Sequence, residues 1–321
     1  MLISESMLIC VGVFAFLSVY GLTLSMKKRY ENYEFTNKEA SLFVVRRYIA
    51  ILAMFLIPFL FCEIVTHVMG FTGRYGEGRT EQAGNFLMDM LGLGDIFGTK
   101  MMVGAWWYIS FLVVITVFMP MVIRGYKHYG WLLIPMFLIP GQLFLNNNVN
   151  MTKWLFAVPL AVCFADGKVL ERLKAFSLVR ISWLNKLLKF LISTVILLVL
   201  FKLRASAWGK EYLQFALNGF IPAIFIYWSY EFIIELPVLK QILIFLGRHS
   251  ADIFFIHSFI RGIWYRKESY SFHYAGLILL VLLGASLGIS IVLDIVRRLI
   301  RYDRGTKIIT DKTLGWMDKI L

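Results

Sequence analysis

A histidine and an arginine stand inside an apolar run late in the chain: Leu246-Gly247-Arg248-His249-Ser250-Ala251-Asp252-Ile253-Phe254-Phe255-Ile256-His257-Ser258-Phe259-Ile260-Arg261-Gly262-Ile263-Trp264. At about 100° per residue, Ser250, His257, Arg261 and Trp264 fall within about 60° of one another, so a helix here carries one polar stripe between faces of Ile and Phe. An imidazole titrating near pH 7 can take the proton of a hydroxyl, and a guanidinium can hold an anion. An ionisable side chain inside a membrane helix costs roughly 2.5–3.5 kcal/mol on insertion scales, so such groups face protein, a partner or a wet cavity. The competing reading is structural: His257 is a hydrogen-bonded packing residue near a helix end, and Arg261 snorkels to the interface.

Glu63 and His67 form a second pair, at i and i+4 near the far end of an apolar run. One helical turn apart, they can share a proton or hold a polar ligand, or they can be an interfacial pair at a membrane edge. Arg46 and Arg47 close a loop of six basic residues, and Trp106-Trp107-Tyr108 open a later apolar run in the manner of an aromatic belt.

The elements that position these groups follow from hydropathy. Of the 321 residues 59% are hydrophobic and 16% aromatic, an apolar share above that of soluble domains, and the mean hydropathy is +0.72. Apolar runs alternate with short charged loops, and no alternating segments of about ten residues recur, which argues against a barrel. The chain therefore reads as all-α, a polytopic helical membrane protein. About nine transmembrane helices are expected, at 2–24, 48–70, 105–123, 130–145, 154–165, 187–203, 212–234, 250–265 and 274–296. Asn146-Asn147-Asn148 closes the fourth, the short fifth contains Pro159 and is either tilted, thinned or broken, and Pro222 kinks the seventh. Residues 71–104 are Gly-rich and too polar to span, with an apolar patch at 86–93.

The net charge of +13 has a ready explanation in the excess of Lys and Arg on cytoplasmic loops, and no nucleic-acid partner is implied. With the loops on one side grouped together, 23 of the 33 Lys and Arg share the side of the C-terminus. This predicts a multi-pass protein of the cell membrane with a cytoplasmic C-terminus: residues 1–296 form one transmembrane domain and 297–321 a basic cytoplasmic tail. Cys10, Cys62 and Cys163 lie in apolar runs without metal-ligand spacing and read as buried free thiols, so no metal is expected. The N-terminus lacks a basic n-region and a small-residue cleavage site, so no cleavable signal is expected. No internal repeat or glycine-rich phosphate loop is present.

Four blocks resemble the acyltransferase type 3 family, multi-span bacterial enzymes that acylate sugars. They are Phe14-Ala15-Phe16-Leu17-Ser18-Val19-Tyr20-Gly21-Leu22, similar to the family's Phe-Phe-x-x-Ser-Gly-Tyr-Gly-Leu helix with Val19 in place of glycine; Phe43-Val44-Val45-Arg46-Arg47; Trp107-Tyr108-Ile109; and Leu246-Gly247 with Ser250 followed by His257. The resemblance implies an acyltransferase-3-like bundle and a membrane O-acyltransferase, most simply an O-acetyltransferase. Its donor would be cytoplasmic acyl-CoA such as acetyl-CoA, used as a substrate with no bound cofactor, and its acceptor a cell-surface polysaccharide or a lipid-linked saccharide. On this reading Arg46 and Arg47 cradle the donor, while Trp107, Tyr108, Glu63 and His67 line the acceptor site. The family's catalytic histidine sits on a helix preceding the Phe14–Leu22 block and has no counterpart here. The resemblance therefore names no catalytic residue and leaves Ser250, His257 and Arg261 as the candidate polar stripe. The alternative is a non-catalytic membrane protein, a carrier of a lipid-linked sugar or a partner of a polysaccharide-assembly enzyme.

Overall fold

The computed structural model describes residues 9–71, 73–145 and 150–321, so the start of the 2–24 run and Asn146-Asn147-Asn148 lie outside the described residues. Among the described residues there are helices and turns and no strand. The principal helices are α1 (Ile9–Arg29), α2 (Asn37–Val68), α3 (Arg79–Met90), α4 (Trp107–Tyr129), α5 (Leu133–Phe144), α6 (Ala157–Asp166), α7 (Ser182–Ala205), α8 (Gln214–Trp228), α9 (Pro237–Phe259), α10 (Ala275–Leu299) and α11 (Tyr302–Ile320).

Among the described residues, six helices are long and apolar enough to cross a membrane: Ile9–Arg29, Asn37–Val68, the continuous stretch Gly104–Phe144, Ser182–Ala205, Pro237–Trp264 and Ala275–Leu299. The nine apolar runs are mostly helical where described; 105–123 and 130–145 merge in Gly104–Phe144, and 154–165 and 212–234 are not among the six. α5, α6 and α8 have 12, 10 and 15 residues. At 1.5 Å per residue α5 and α6 alone rise no more than about 18 Å, against a hydrocarbon core of about 30 Å, while α8 runs on into a π-turn, Ser229–Ile233. α5 continues α4 through a 3₁₀ turn, Gly130–Leu132, where Gly130 takes φ +55°, a conformation glycine adopts without strain. α7 and α10 leave Leu191, Val195, Leu198, Leu280, Val292 and Leu299 exposed, the surface of a helix solvated by lipid rather than water. Cys62 and Cys163 are buried, but Cys10 is exposed, because it lies off the buried stripe of α1.

The chain divides into two compact units, one built from the chain up to Phe35 with Phe118–Lys240, the other from Thr36–Val117 with Gln241–Leu321. In the first, α1 buries Gly12, Ala15, Phe16, Val19, Thr23 and Met26, a 3.6-residue stripe, against α6 and α8. α6 is enclosed: Ala157 through Cys163 and Ala165 are all buried, which is how a helix too short to span is tolerated. Its C-terminal Asp166 accepts hydrogen bonds from Lys27 Nζ at 2.7 Å, Tyr33 Oη at 2.9 Å and Tyr126 Oη at 2.8 Å, fastening the ends of α1, α4 and α6. At Gly12 an added Cβ would lie 2.6 Å from Pro222 Cγ and 2.7 Å from the Trp154 ring. Gly12→Ala is therefore expected to destabilise this unit by about 1–3 kcal/mol, read as a lowered Tm in detergent, because the ring and the pyrrolidine cannot rotate away.

The second unit is organised on α2. Thr36 caps it in a capping box: Thr36 Oγ1 accepts the Glu39 amide at 3.2 Å and Glu39 Oε2 accepts the Thr36 amide at 2.8 Å. With 32 residues α2 is about 48 Å long, more than a hydrocarbon core requires. Phe55 and Phe59 of α2, Trp106, and Phe255 and Phe259 of α9 form an aromatic core, with Trp106 5.0 Å from both Phe55 and Phe259. Residues 297–321 comprise the end of α10 and helix α11. α11 runs antiparallel to the first half of α2, with Tyr302 Oη donating to Ala53 O at 3.0 Å and Lys38 Nζ paired with Asp318 at 3.1 Å.

Candidate functional site

The segment after α2 folds back over the end of that helix. Gly92 takes φ +69°, where the Ile109 side chain fills the space a Cβ would need, and its carbonyl accepts Ser110 Oγ–H at 2.7 Å. Asn85 Nδ2 donates to Tyr75 O at 2.7 Å and Gln82 Nε2 to Gly76 O at 2.8 Å, so α3 holds the loop ahead of it in place. Phe86 of α3 packs on Phe59 and Tyr75, with centroids 5.3 and 5.8 Å apart. Together these elements border a half-open cavity of about 720 Å³, whose wall includes Glu63, His67, Arg74, Tyr75, Glu77 and Gln82.

Beneath that wall lies an unusual hydrogen-bond chain. Tyr75 Oη is 2.5 Å from Glu63 Oε1 and 2.9 Å from Asp89 Oδ2, and Asp89 Oδ2 also accepts the Met102 amide at 2.8 Å. Asp89 is 2% exposed. Burial pushes its carboxyl up to about 6, against the lowering effect of the Met102 amide and the Tyr75 hydroxyl. Burial and the neighbouring carboxylates hold the Tyr75 phenol well above its usual range. The arrangement has the parts of an acid–base site: a carboxyl at the cavity, a phenol behind it and a second carboxyl behind that.

Glu63 and His67, one turn apart on α2, both line this cavity. Tyr75 and Asp89 escape a reading by periodicity, because they come from a loop and a short helix. The signal that points to Asp89 is its position in the otherwise apolar 86–93 patch, where a lone carboxylate needs donors.

The polar stripe of α9 is placed elsewhere. Ser250 Oγ donates to Gly247 O at 2.8 Å within its own helix. His257 Nδ1 lies 2.8 Å from Phe254 O and 3.2 Å from Ile253 O. Only a protonated nitrogen can serve carbonyls, so Nδ1 carries the hydrogen and Nε2 accepts from Ser258 Oγ at 3.2 Å. Arg261 is exposed, in a π-turn, Ile260–Trp264, that follows α9, and Trp264 is buried with its indole donating to Thr66 Oγ1 at 2.9 Å. Arg46 is exposed, and Arg47 lies over the Phe43 ring at 5.5 Å. Trp106 and Tyr108 are buried, Tyr108 against Phe254 at 5.4 Å, while Trp107 is half-buried.

The buried polar centre of α9 is Asp252, a residue the stripe omits. Its two oxygens accept Arg297 Nη1 and Nη2 at 2.7 and 2.8 Å, and Oδ2 accepts Ser290 Oγ–H at 3.0 Å. Ser290 also meets His249 Nδ1 at 2.9 Å. Serine, histidine and aspartate are the types of a hydrolytic triad, but here serine is the middle member and is 0% exposed, so no substrate carbonyl reaches it. The cluster is structural.

Among the described residues the chain is helical, with six helices long and apolar enough to cross a bilayer, which makes it a helical membrane protein with a cavity at the end of a long apolar helix. Comparison with protein-family models, with curated proteins and with solved structures returned no match.

Proposed function

We propose that this protein is a membrane O-acyltransferase, most simply an acetyltransferase, that acylates a hydroxyl of a cell-surface glycan or lipid-linked saccharide with an acyl group from cytoplasmic acyl-CoA. The observation that carries this reading is the cavity at the end of α2, whose wall supplies the Glu63 carboxyl as base for the attacking hydroxyl. The four sequence blocks that resemble the acyltransferase type 3 family support the same reaction.

Arg46 and Arg47 lie on the same helix as Glu63, about 24 Å away along its axis at 1.5 Å per residue. On this proposal they bind the donor's phosphates at a distance from the reacting carbonyl. Replacing both with alanine is expected to raise KM for acyl-CoA about tenfold or more while leaving kcat near its original value, since each guanidinium contributes to binding only. Steady-state transfer in proteoliposomes with labelled acetyl-CoA measures both constants. A fall in kcat at unchanged KM would place the arginines at the chemistry instead. At the level of the cell, deletion of the gene is expected to remove O-acetyl signals from the NMR spectrum of the purified surface polysaccharide, and unchanged acetylation counts against the reading.

One observation favours a carrier as the second reading. α6 and α8 are short and proline-bearing, with Pro159 and Pro222 buried, and discontinuous helices of this kind line transport sites. A carrier would move a lipid-linked saccharide across vesicle membranes with no acylated product.

A further inference from the structure

An ionised carboxylate has no proton to donate, and a phenol has one. The Tyr75 hydroxyl nevertheless bridges two carboxyl groups, at 2.5 Å to Glu63 and 2.9 Å to Asp89. Both bonds form only if the three groups together hold two protons: the phenolic one and one more, on Glu63 or on Asp89. We infer that Glu63, Tyr75 and Asp89 form a proton-sharing chain in which Asp89, acting through Tyr75, lets the cavity carboxyl of Glu63 serve as base and then as acid.

The chain has two arrangements. In one, Glu63 is the acid and donates to Tyr75, whose own hydrogen goes to the Asp89 carboxylate. In the other, Asp89 donates to Tyr75 and Tyr75 donates to a Glu63 carboxylate. They interconvert by moving two hydrogens along two existing hydrogen bonds, with no exchange with bulk water. Asp89 suits the inner end: it is buried, and the Met102 amide holds its Oδ2 at 2.8 Å whichever group carries the proton. The other charged and titratable groups facing the chain are His67 on α2, Arg74 and Glu77 in the loop before α3, and the Cys62 thiol beside Glu63.

In the second arrangement Glu63 takes the proton of the acceptor hydroxyl as its oxygen bonds to the acyl carbon. The C–S bond of the thioester breaks, its electron pair stays on sulfur, and Glu63 returns the proton to that sulfur. Asp89 lies outside the cavity wall and is a positioning residue, acting through the Tyr75 hydroxyl that both carboxyl groups engage. This role rests on the cavity being the acceptor site proposed above, whereas the shared proton can be observed without any substrate, so the two can fail separately.

The test is infrared spectroscopy of the whole protein in lipid nanodiscs across mildly acidic to neutral pH. The expected result is one protonated-carboxyl C=O band that disappears in both Glu63→Gln and Asp89→Asn, because the pair holds a single proton that either carboxylate can give up once the other is gone. A band that survives in one of the two variants overturns the inference, since the proton then belongs to a single buried acid. A second measurement needs no variant: in the wild-type protein the C–O band of one tyrosine should shift over the same pH range as the carboxyl band. Carboxyl titration with every tyrosine band unmoved would also overturn it.

Discussion

Arg297→Ala is expected to cost the fold about 3–5 kcal/mol, because it leaves the Asp252 carboxylate buried at 4% exposure with one hydroxyl where it had a bidentate guanidinium. The loss should appear as a Tm drop in detergent and a lower amount of protein in the membrane. Removing both charges tests the cause. Asp252→Leu with Arg297→Met replaces the pair by apolar groups, and such replacements are commonly neutral or stabilising. Recovery of Tm in the double variant assigns the loss in the single one to the stranded carboxylate. A single variant as stable as the wild type would mean that water reaches Asp252.

The second large effect is on chemistry. Glu63→Gln keeps the size of the side chain and lets its amide bond to Tyr75, but it can neither take nor return a proton. Acyl transfer is expected to fall by about 10²–10⁴-fold in kcat, the usual contribution of a positioned acid–base group, with KM for acyl-CoA within a few-fold of its original value. Loss of binding with normal turnover would instead make Glu63 a contact to the acceptor. The contrast with Arg46 and Arg47, which are expected to act on KM alone, separates the two ends of α2 by kinetics.

Much of the architecture follows from local pattern. The apolar runs are mostly helical where described, because runs of this hydropathy cannot leave backbone groups unpaired in lipid or in a core. Hydropathy does not tell lipid from protein as the surroundings of a helix. Ala157-Val158-Pro159-Leu160-Ala161-Val162-Cys163 is as oily as a spanning segment, yet it is enclosed among α1, α5 and α8. Length is the better guide for α6, whose 10 residues set it apart from the six longer helical stretches.

The site divides in the same way. Glu63 and His67 are legible because one helical turn separates them and both fall at the end of a run. Tyr75 and Asp89 are brought to Glu63 by a glycine-rich reversal and a short amphipathic helix, which no period in the sequence encodes. On α9 Ser250 and His257 share a face, but their hydrogen bonds close within the helix, while Asp252 takes a long-range partner in Arg297, which sequence alone groups with the basic tail. A polar residue in an apolar run announces that it needs a partner; the partner's identity comes from tertiary structure.

The placement of the base at Glu63 is tested most directly by O-acetyl content. Cells lacking the gene are supplied with either the wild-type protein or Glu63→Gln, matched for protein in the membrane, and the surface polysaccharide is purified and examined by NMR. Acetylation restored by the wild type and absent with Glu63→Gln is the expected result. Equal acetylation with both would contradict it.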